Sequence, residues 1–314
     1  YTDTDINYLM RGGNYEMAVN TLSDWLSAAR EESAPYETAA DVLDTGLSDE
    51  LAYADVAHLQ NYRSYNLQNM EDVKQAVMDY GAVGISYYAY TYSGFASNQY
   101  YNADTAGYYC YDEQTTNHAV TVVGWDDDYP KENFNLELEG DGAFICTNSW
   151  GENFGDQGYF YVSYYDTNIG VHNIVYTGIE PTDNYDNIYQ SDLCGWVGQI
   201  GYGEDTAWFA NAYKTKTKEE LAAAGFYATG AGTEYKIYAA RNLPDRDSTG
   251  KEKLHQDHMM EMALNKRILL AEGKMEYTGY YTIPFNEKIV LDQGEKFAII
   301  VEIKTPDTVH PVAI

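Results

Sequence analysis

The sequence predicts an α+β domain over residues 1–180, a linker over residues 181–187 and an all-β domain over residues 188–314. The α+β domain is predicted from helically spaced apolar residues interleaved with β-branched segments. The all-β domain is predicted from short strands that follow one another between turn residues. The 314 residues, 45% of them hydrophobic, suffice for two domains with separate cores.

The first domain is predicted to contain two helices, one following Asn14 and one over residues 70–80. The apolar residues expected on their buried faces are Met17, Leu22, Trp25 and Leu26 in the first helix and Met70, Val73, Val77 and Met78 in the second. Strands are predicted over residues 81–88, 118–125, 143–147 and 158–163, with a surface loop over residues 126–142.

The second domain is predicted to be a β-sandwich, because several strands are separated by turn signals. These strands cover residues 206–213, 219–227, 234–239, 277–283 and 296–303. Residues 254–270, rich in Leu, Met, Lys and Glu, predict a helical or irregular insertion in that sandwich.

The charge of the chain narrows the classes of partner. Forty-nine acidic residues against 19 basic residues give a net charge of −30. This charge repels phosphate backbones and anionic membrane surfaces, so neither a nucleic acid nor such a membrane is expected as a partner. Because carboxylates are ligands of Ca²⁺, this charge suits calcium, but it does not locate a site, and solubility outside the cell explains the same charge.

The start of the chain and its cysteines give further expectations. Residues 1–5 lack the basic and apolar regions of a signal peptide, and the chain does not begin with Met, so we expect a processed chain or a fragment. No apolar run is long enough to predict a membrane span. Cys110, Cys146 and Cys194 form no CxxC pair, which disfavours a disulfide framework or a zinc site but allows one disulfide.

Two segments carry recognisable chemistry. Residues 117–125 read Asn-His-Ala-Val-Thr-Val-Val-Gly-Trp, and residues 148–160 read Asn-Ser-Trp-Gly-Glu-Asn-Phe-Gly-Asp-Gln-Gly-Tyr-Phe. They resemble the histidine and asparagine blocks of papain-like (C1 family) cysteine peptidases, and the second match is long and specific. The resemblance implies a papain-like fold, a peptide or protein substrate, and chemistry that requires no cofactor.

The resemblance also implies roles for three residues. A cysteine thiolate attacks the peptide carbonyl in this family, and His118 would hold that thiolate as an ion pair and then protonate the leaving amine. Asn148 would orient the imidazole, and Trp150 would shield the bond between them. Trp150 is also expected among the substrate-binding residues. A core histidine and a turn asparagine are the alternatives, and the long second block disfavours both.

Residues outside the two blocks extend the resemblance. Gly12-Gly13, a helix and then Pro-Tyr-Glu at residues 35–37 follow the family's order, which implies that the two glycines pair with the substrate backbone. A plain turn is an equal alternative for these glycines. Ala119 matches the base of the S2 pocket, and Ser86 and Ala89 are candidates for its wall.

The family's nucleophile signature, Cys-Gly-Ser/Ala-Cys-Trp/Tyr, does not occur in the chain. Family spacing puts the nucleophile about 12–32 positions before Tyr1, together with the oxyanion-hole glutamine. We reject Cys146 for its apolar neighbours, and Cys110 and Cys194 because neither begins a helix. The fold is therefore expected to lack its nucleophile helix, and this chain alone is expected to be inactive unless its own cleaved N-terminal segment stays bound.

The second domain resembles the lectin-like domain that follows the peptidase in a bacterial subgroup of secreted or surface-attached members. The resemblance rests on residues 195–197, 207–211, 225–229, 235–238 and 297–301. It implies a jelly-roll-like sandwich, with calcium as its candidate metal, and a place outside the cell or on its surface. Trp196 and Trp208 could stack on a sugar, but core packing is the favoured interpretation.

Three functional hypotheses remain. The favoured one is a papain-like endopeptidase whose nucleophile lies upstream of Tyr1. The alternatives are a pseudo-peptidase that only binds at the cell surface, and a carbohydrate-binding module with a decayed peptidase remnant.

Overall fold

The computed structural model describes residues 12–26, 28–35, 48–65, 70–90, 95–170, 173–191, 194–245 and 251–314. Packing divides the chain into two compact units, Arg63–Thr177 and a unit that combines Tyr1–Tyr62 with Gly178–Ile314. This division differs from one drawn along the sequence, because the described residues up to Tyr62 are grouped with the C-terminal part of the chain.

The described part of the chain contains three α-helices and sixteen strands. The helices are α1 Tyr15–Ser23, α2 Met70–Tyr80 and α3 Lys251–Asn265. The strands are β1 His58–Tyr65, β2 Val83–Tyr87, β3 Tyr101–Asn102, β4 Gly107–Tyr108, β5 His118–Asp126, β6 Ala143–Thr147, β7 Tyr159–Ser163, β8 Asn173–Glu180, β9 Gln199–Ile200, β10 Thr206–Lys214, β11 Glu219–Ala228, β12 Thr233–Arg241, β13 Ile268–Met275, β14 Thr278–Leu291, β15 Lys296–Lys304 and β16 Val312–Ala313.

The unit Arg63–Thr177 is built on one sheet with the order β8-β2-β5-β6-β7-β4-β3. Its pairs are antiparallel, except that β4 runs parallel to β7. The buried faces of the central strands carry apolar residues at alternate positions, as in β2, where Val83, Ile85 and Tyr87 are buried. The four strands predicted in this region are confirmed.

Helix α2 has the predicted bounds, but its buried face differs from the prediction. Val73, Ala76 and Val77 are buried, at the i, i+3, i+4 spacing of one helix face. The expected inward positions of Met70 and Met78 are wrong, because both side chains are exposed. Met78 directly follows Val77 and so lies about 100° further round the helix.

The predicted surface loop over residues 126–142 instead has a small core of its own. Tyr129, Phe134 and Leu138 are buried against Ala143. The Tyr129 ring also stacks on Tyr161, with ring centroids 4.4 Å apart. These contacts bury apolar surface, which fixes the segment on the sheet despite its many charges.

Helix α1 belongs to the other unit and is shorter than its apolar spacing suggested. Asn14 caps it by accepting a hydrogen bond from the Met17 N–H at 2.9 Å. The helix ends at Ser23, so Trp25, with a φ of 58°, lies beyond it. Val19 is buried, whereas Met17, which was predicted to face inward, is exposed.

The same unit contains the β-sandwich that the sequence predicts. One layer pairs β11 with β14, and the other has the order β10-β15-β12-β13. Phe226, Tyr281 and Phe285 from the first layer pack in one core with Ile237 and Val301 from the second. All five predicted strands are confirmed, and the predicted insertion is α3 followed by the start of β13.

The two tryptophans of this unit that were expected to pack in its core have different environments. Trp196 is partly buried, and its ring centroid lies 6.1 Å from that of Tyr227. Trp208 lies on the outward face of β10 with 40% of its surface exposed, so core packing is wrong for this residue. The reason is the alternation of β10, in which the neighbouring Ala207 points into the core.

No described helix is both long enough and apolar enough to cross a bilayer.

Substituting Ile237 by alanine tests whether the sandwich core stabilises the chain. Ile237 is fully buried between the layers, so Ile237→Ala should lower the free energy of unfolding by about 2–5 kcal/mol, because it leaves a cavity. Urea unfolding followed by circular dichroism measures the change. The control is Glu234→Ala on the exposed side of the same strand, which should change it by less than about 0.5 kcal/mol. Equal effects of both substitutions would contradict the assigned core.

Candidate active site

The register of β5 and β6 brings His118 and Asn148 together. In this antiparallel pair Thr121 lies opposite Thr147. His118 begins β5 and Asn148 directly follows β6, so both residues lie at the same end of the pair. The imidazole Nε2 of His118 is 2.9 Å from Oδ1 of Asn148.

The orientation of the Asn148 amide is fixed by a second hydrogen bond. The backbone N–H of Ser149 donates to the same Oδ1 at 2.8 Å. Since this oxygen is an acceptor, His118 must carry its proton on Nε2 to bond with it. The pair therefore sets both the direction and the tautomer of the imidazole.

Trp150 covers one face of the imidazole. Its ring stacks on His118 with centroids 4.8 Å apart and planes at 23°. Phe95 stacks against Trp150 at 5.9 Å, and Phe154 meets it edge-on at 4.8 Å. This aromatic cluster covers one side of the partly buried His118–Asn148 bond and lowers its contact with water, which strengthens the bond electrostatically.

The loop after Asn148 depends on a glycine at residue 155. Gly155 has a φ of 58°, and a Cβ there would lie 2.1 Å from the backbone oxygen of Tyr159. No larger side chain fits without moving the backbone. The turn allows the Asn148 N–H to donate to the oxygen of Gly158 at 3.0 Å, which anchors the loop beside β7.

Asn117 is a positioning residue that the sequence analysis did not single out. Its Oδ1 accepts the Ala89 N–H at 2.7 Å, and its Nδ2 donates to the Ala89 oxygen at 3.1 Å. Its own N–H donates to the Tyr87 oxygen at 3.1 Å. These three bonds fix the backbone immediately before His118. Its place beside the histidine was the only available signal in the sequence.

Tyr87, on the neighbouring strand β2, packs against the His118 ring. It lies opposite His118 in the β2–β5 register, and the two rings meet at 5.8 Å with planes at 62°. Only 1% of its surface is exposed. Burial raises the pKa of Tyr87 far above its usual range, and its polar contact with Asn148 opposes this shift only in part. The hydroxyl thus stays neutral beside the amide.

Among the described residues, no cysteine contacts the His118 imidazole. Cys110 and Cys146 are fully buried, and Cys194 is exposed in the other unit. Burial raises the pKa of the Cys110 thiol to about 11 and raises that of Cys146 further still. Thiols with raised pKa values are poor nucleophiles at neutral pH, so the structure agrees with rejecting both.

The residues predicted to bind substrate differ in their exposure and in the unit to which they belong. Ala119 is exposed and lies opposite Ser86 in the β2–β5 register, whereas Ala89 is buried. Gly12 and Gly13 are exposed before α1, in the other unit. Pro35 is described, whereas Tyr36 and Glu37 lie outside the described residues. Substrate binding by Gly12, Gly13, Ala119 and Trp150 stays a prediction.

A buried carboxylate, Asp166, organises the loop behind β7. Its oxygens accept the N–H groups of Cys110, Asn168 and Ile169 at 2.8–2.9 Å. Burial raises the pKa of Asp166 to about 6, although these three hydrogen bonds oppose the shift. Asp166 lines a mostly apolar cavity of about 240 Å³ whose lining does not include His118, Asn148 or Trp150.

Metal ligands are not clustered in the described ranges. No group of three or more His, Cys, Asp or Glu side chains there could hold a metal ion. Calcium in the β-sandwich therefore stays a prediction from the resemblance to the lectin-like domain, and we derive no step through it.

The chain belongs to the papain family of cysteine proteases: residues 4–179 match the family described as "Papain family cysteine protease". Residues 188–314 match a second family, described as "Lectin like domain". The two matches meet at residues 180–187, which contain the predicted linker.

Solved structures show the same two-part architecture. The chain is similar to the clostridial cysteine protease Cwp84 after propeptide cleavage, with a TM-score of 0.76 and 25% identity over 98% of this chain and 75% of that one. It is also similar to the cysteine protease and lectin-like domains of Cwp84, described as a surface layer associated protein of Clostridium difficile. That TM-score is 0.70, with 25% identity over 91% of this chain and 58% of that chain.

A curated relative covers a smaller region. A "Cysteine protease" of Blomia tropicalis is 29% identical over 123 residues, which are 38% of this chain and 32% of that protein. The matched stretch thus spans about a third of the relative's length.

Replacing Asn117 tests its role in fixing His118. Asn117→Ala removes both hydrogen bonds to Ala89, so the free energy of unfolding should fall by about 1–2 kcal/mol. The proton on His118 Nε2 should also exchange faster with water in NMR spectra. Thr115→Ala, at an exposed neighbouring position, should change neither quantity. Unaltered exchange in Asn117→Ala would contradict the role.

The raised pKa of Asp166 predicts a pH dependence of stability. The folded carboxyl keeps its proton to about pH 6, whereas the unfolded one loses it near pH 3.8, so stability should fall as pH rises through this window. The shift corresponds to about 3 kcal/mol. Denaturant unfolding at pH 4 and pH 7 should show this fall, and Asp166→Asn should flatten it. Asp104→Asn, an exposed control, should not.

Proposed function

We propose that this chain is part of a cysteine endopeptidase that hydrolyses peptide bonds of proteins outside the cell or at a bacterial cell surface. The observation that carries the proposal is the imidazole of His118, held by Asn148 and covered by Trp150, in a chain of the papain family. Such an imidazole has the correct tautomer and orientation to take and return a proton.

In the proposed reaction, His118 acts through its Nδ1 atom. Nε2 is engaged by Asn148, whereas Nδ1 has no hydrogen-bond partner among the described residues. A thiolate facing Nδ1 would form an ion pair with the protonated ring and attack the substrate carbonyl. The Nδ1 proton would then pass to the leaving amine, and the freed imidazole would take a proton from the water that hydrolyses the acyl-enzyme.

We assign the nucleophile to residues that precede Tyr1. The support is that the described cysteines include none at His118 and that the two most buried thiols resist ionisation. Processing fits this assignment, since the clostridial relative is described after propeptide cleavage. The chain's own cleaved N-terminal segment is therefore a proposed partner, and Gly12, Gly13 and Ala119 are proposed to bind the substrate.

We propose an extracellular or bacterial cell-surface location for the same enzyme. The support is the likeness to a protein described as surface layer associated. The net charge of −30 suits a protein that stays soluble in that setting.

One observation keeps a second function in view. Since no described cysteine meets His118, a pseudo-peptidase that only binds protein segments would have the same described site. The two functions differ only in whether a nucleophile is delivered to Nδ1, and turnover distinguishes them.

Turnover by the chain extended upstream of Tyr1 tests the proposal. The extended protein should hydrolyse an unfolded protein substrate such as reduced casein, whereas the 314-residue chain alone should not. His118→Ala in the extended protein should lower kcat by roughly 10²–10⁴-fold, because the proton carrier is removed.

The matched control for this test is His310→Ala, at an exposed position in the other unit. It should leave kcat unchanged. An extended protein that folds but shows no turnover would replace the enzyme by the binding function. Full activity of His118→Ala would contradict the assignment of His118.

A further inference from the structure

An exposed cluster of Trp208, Tyr238 and Arg267, here called the aromatic–guanidinium platform, lies on the outer face of the β10-β15-β12-β13 sheet. The rings of Trp208 and Tyr238 have centroids 5.5 Å apart and planes within 18° of each other. The guanidinium carbon of Arg267 lies 5.0 Å from both centroids. Both distances are within the range of cation–π attraction.

The sheet register explains why these residues meet. Trp208 lies opposite Glu302, and Glu302 lies opposite Lys236, so the three form a row across β10, β15 and β12. Tyr238, two residues after Lys236, points to the same face. The adjacent part of this face is covered by α3, whose Met260, Ala263 and Leu264 pack over Ala240 and Ile300.

Arg267 is held in place from its other side by the end of α3. Its backbone N–H and its Nη1 both lie 3.2 Å from the carbonyl oxygen of Leu264. The guanidinium is therefore ordered before any ligand arrives, which lowers the entropic cost of binding. Within the described residues it has no carboxylate partner, so its remaining N–H donors face solvent.

Acidic residues outnumber basic ones by 49 to 19 in the chain as a whole, but the two kinds are unevenly distributed. Residues 188–314 carry 14 basic and 18 acidic residues, a net charge of −4. Residues 1–187 carry 5 basic and 31 acidic residues, a net charge of −26. The basic residues are thus concentrated in the part of the chain that carries the platform, where an anionic ligand meets less repulsion.

The polar neighbours of the platform are also fixed. The Tyr238 hydroxyl donates to Oε2 of Glu302 at 3.2 Å, and Nζ of Lys236 lies 3.9 Å from the same oxygen. Glu302 is thereby occupied by Tyr238 and Lys236, rather than by Arg267. Lys236 and Glu302 thus provide a hydrogen-bond donor and acceptors for hydroxyl groups. They lie in the row that contains the exposed ring of Trp208, near the guanidinium of Arg267.

We propose that the aromatic–guanidinium platform binds an anionic glycan. The exposed surface of Trp208 would stack on the apolar face of one sugar ring. The Arg267 guanidinium would take the negative group of the glycan through paired N–H donors. Lys236 and Glu302 would bond to sugar hydroxyls. This proposal is independent of the peptidase site, because all the residues that carry it lie in the other unit.

Isothermal titration calorimetry with the 314-residue chain tests the proposal. The probes are trigalacturonate, which carries carboxylates, a phosphorylated maltotriose, and the neutral maltotriose. Trigalacturonate or the phosphorylated maltotriose should bind at least tenfold more tightly than maltotriose, and whichever binds identifies the anionic group. Trp208→Ala and Arg267→Gln should each weaken that binding by roughly tenfold or more.

The control substitutions remove one positive charge and one aromatic ring at other positions in the same unit. Lys218→Gln and Tyr202→Ala alter exposed residues away from the platform and should leave the affinity unchanged. Three results would overturn the proposal: no binding of either anionic probe, equal binding of maltotriose, or binding that neither platform substitution weakens. Arg267→Gln alone suffices if Trp208→Ala unfolds, since it changes only an exposed side chain.

Discussion

The hydrogen bond between His118 and Asn148 is the interaction on which the account of this protein depends. It exists because β5 and β6 are antiparallel neighbours in a register that sets Thr121 against Thr147. A shift of one residue would turn His118 to the other face of the sheet and break the bond. The buried strands hold that register. The turn at Gly155 fixes the loop that follows Asn148, and the hydrogen bonds of Asn117 fix the backbone before His118.

The same bond divides the chemistry between the two imidazole nitrogens. Asn148 occupies Nε2, and the Trp150 ring covers one face of the imidazole. Nδ1 remains for a nucleophile. The deeply buried thiols of Cys110 and Cys146 cannot fill that role, because burial penalises the thiolate that the reaction needs. His118 is therefore already oriented to accept and donate a proton, and we assign the nucleophile to residues that precede Tyr1.

The sequence predicted the strands and the His118–Asn148–Trp150 cluster well, because a long local motif encodes both the strand ends and the glycine turn between them. It predicted local burial less well. Met17, Met70 and Met78 were expected inside and are exposed, since apolar spacing does not say which neighbour a helix face meets. Asn117 and Tyr87 were missed because their roles arise from cross-strand register, which is not visible along the chain. The aromatic–guanidinium platform likewise joins residues from two strands and a helix end.

The most direct test of the central claim is peptide mapping of the cysteine that an epoxysuccinyl inhibitor alkylates. The measurement uses the protein extended upstream of Tyr1, with a His118→Ala variant beside it. The account predicts one adduct on a cysteine that precedes Tyr1, and its loss in the variant, because the imidazole maintains the thiolate. An adduct on Cys110, Cys146 or Cys194, or labelling that does not depend on His118, would contradict it.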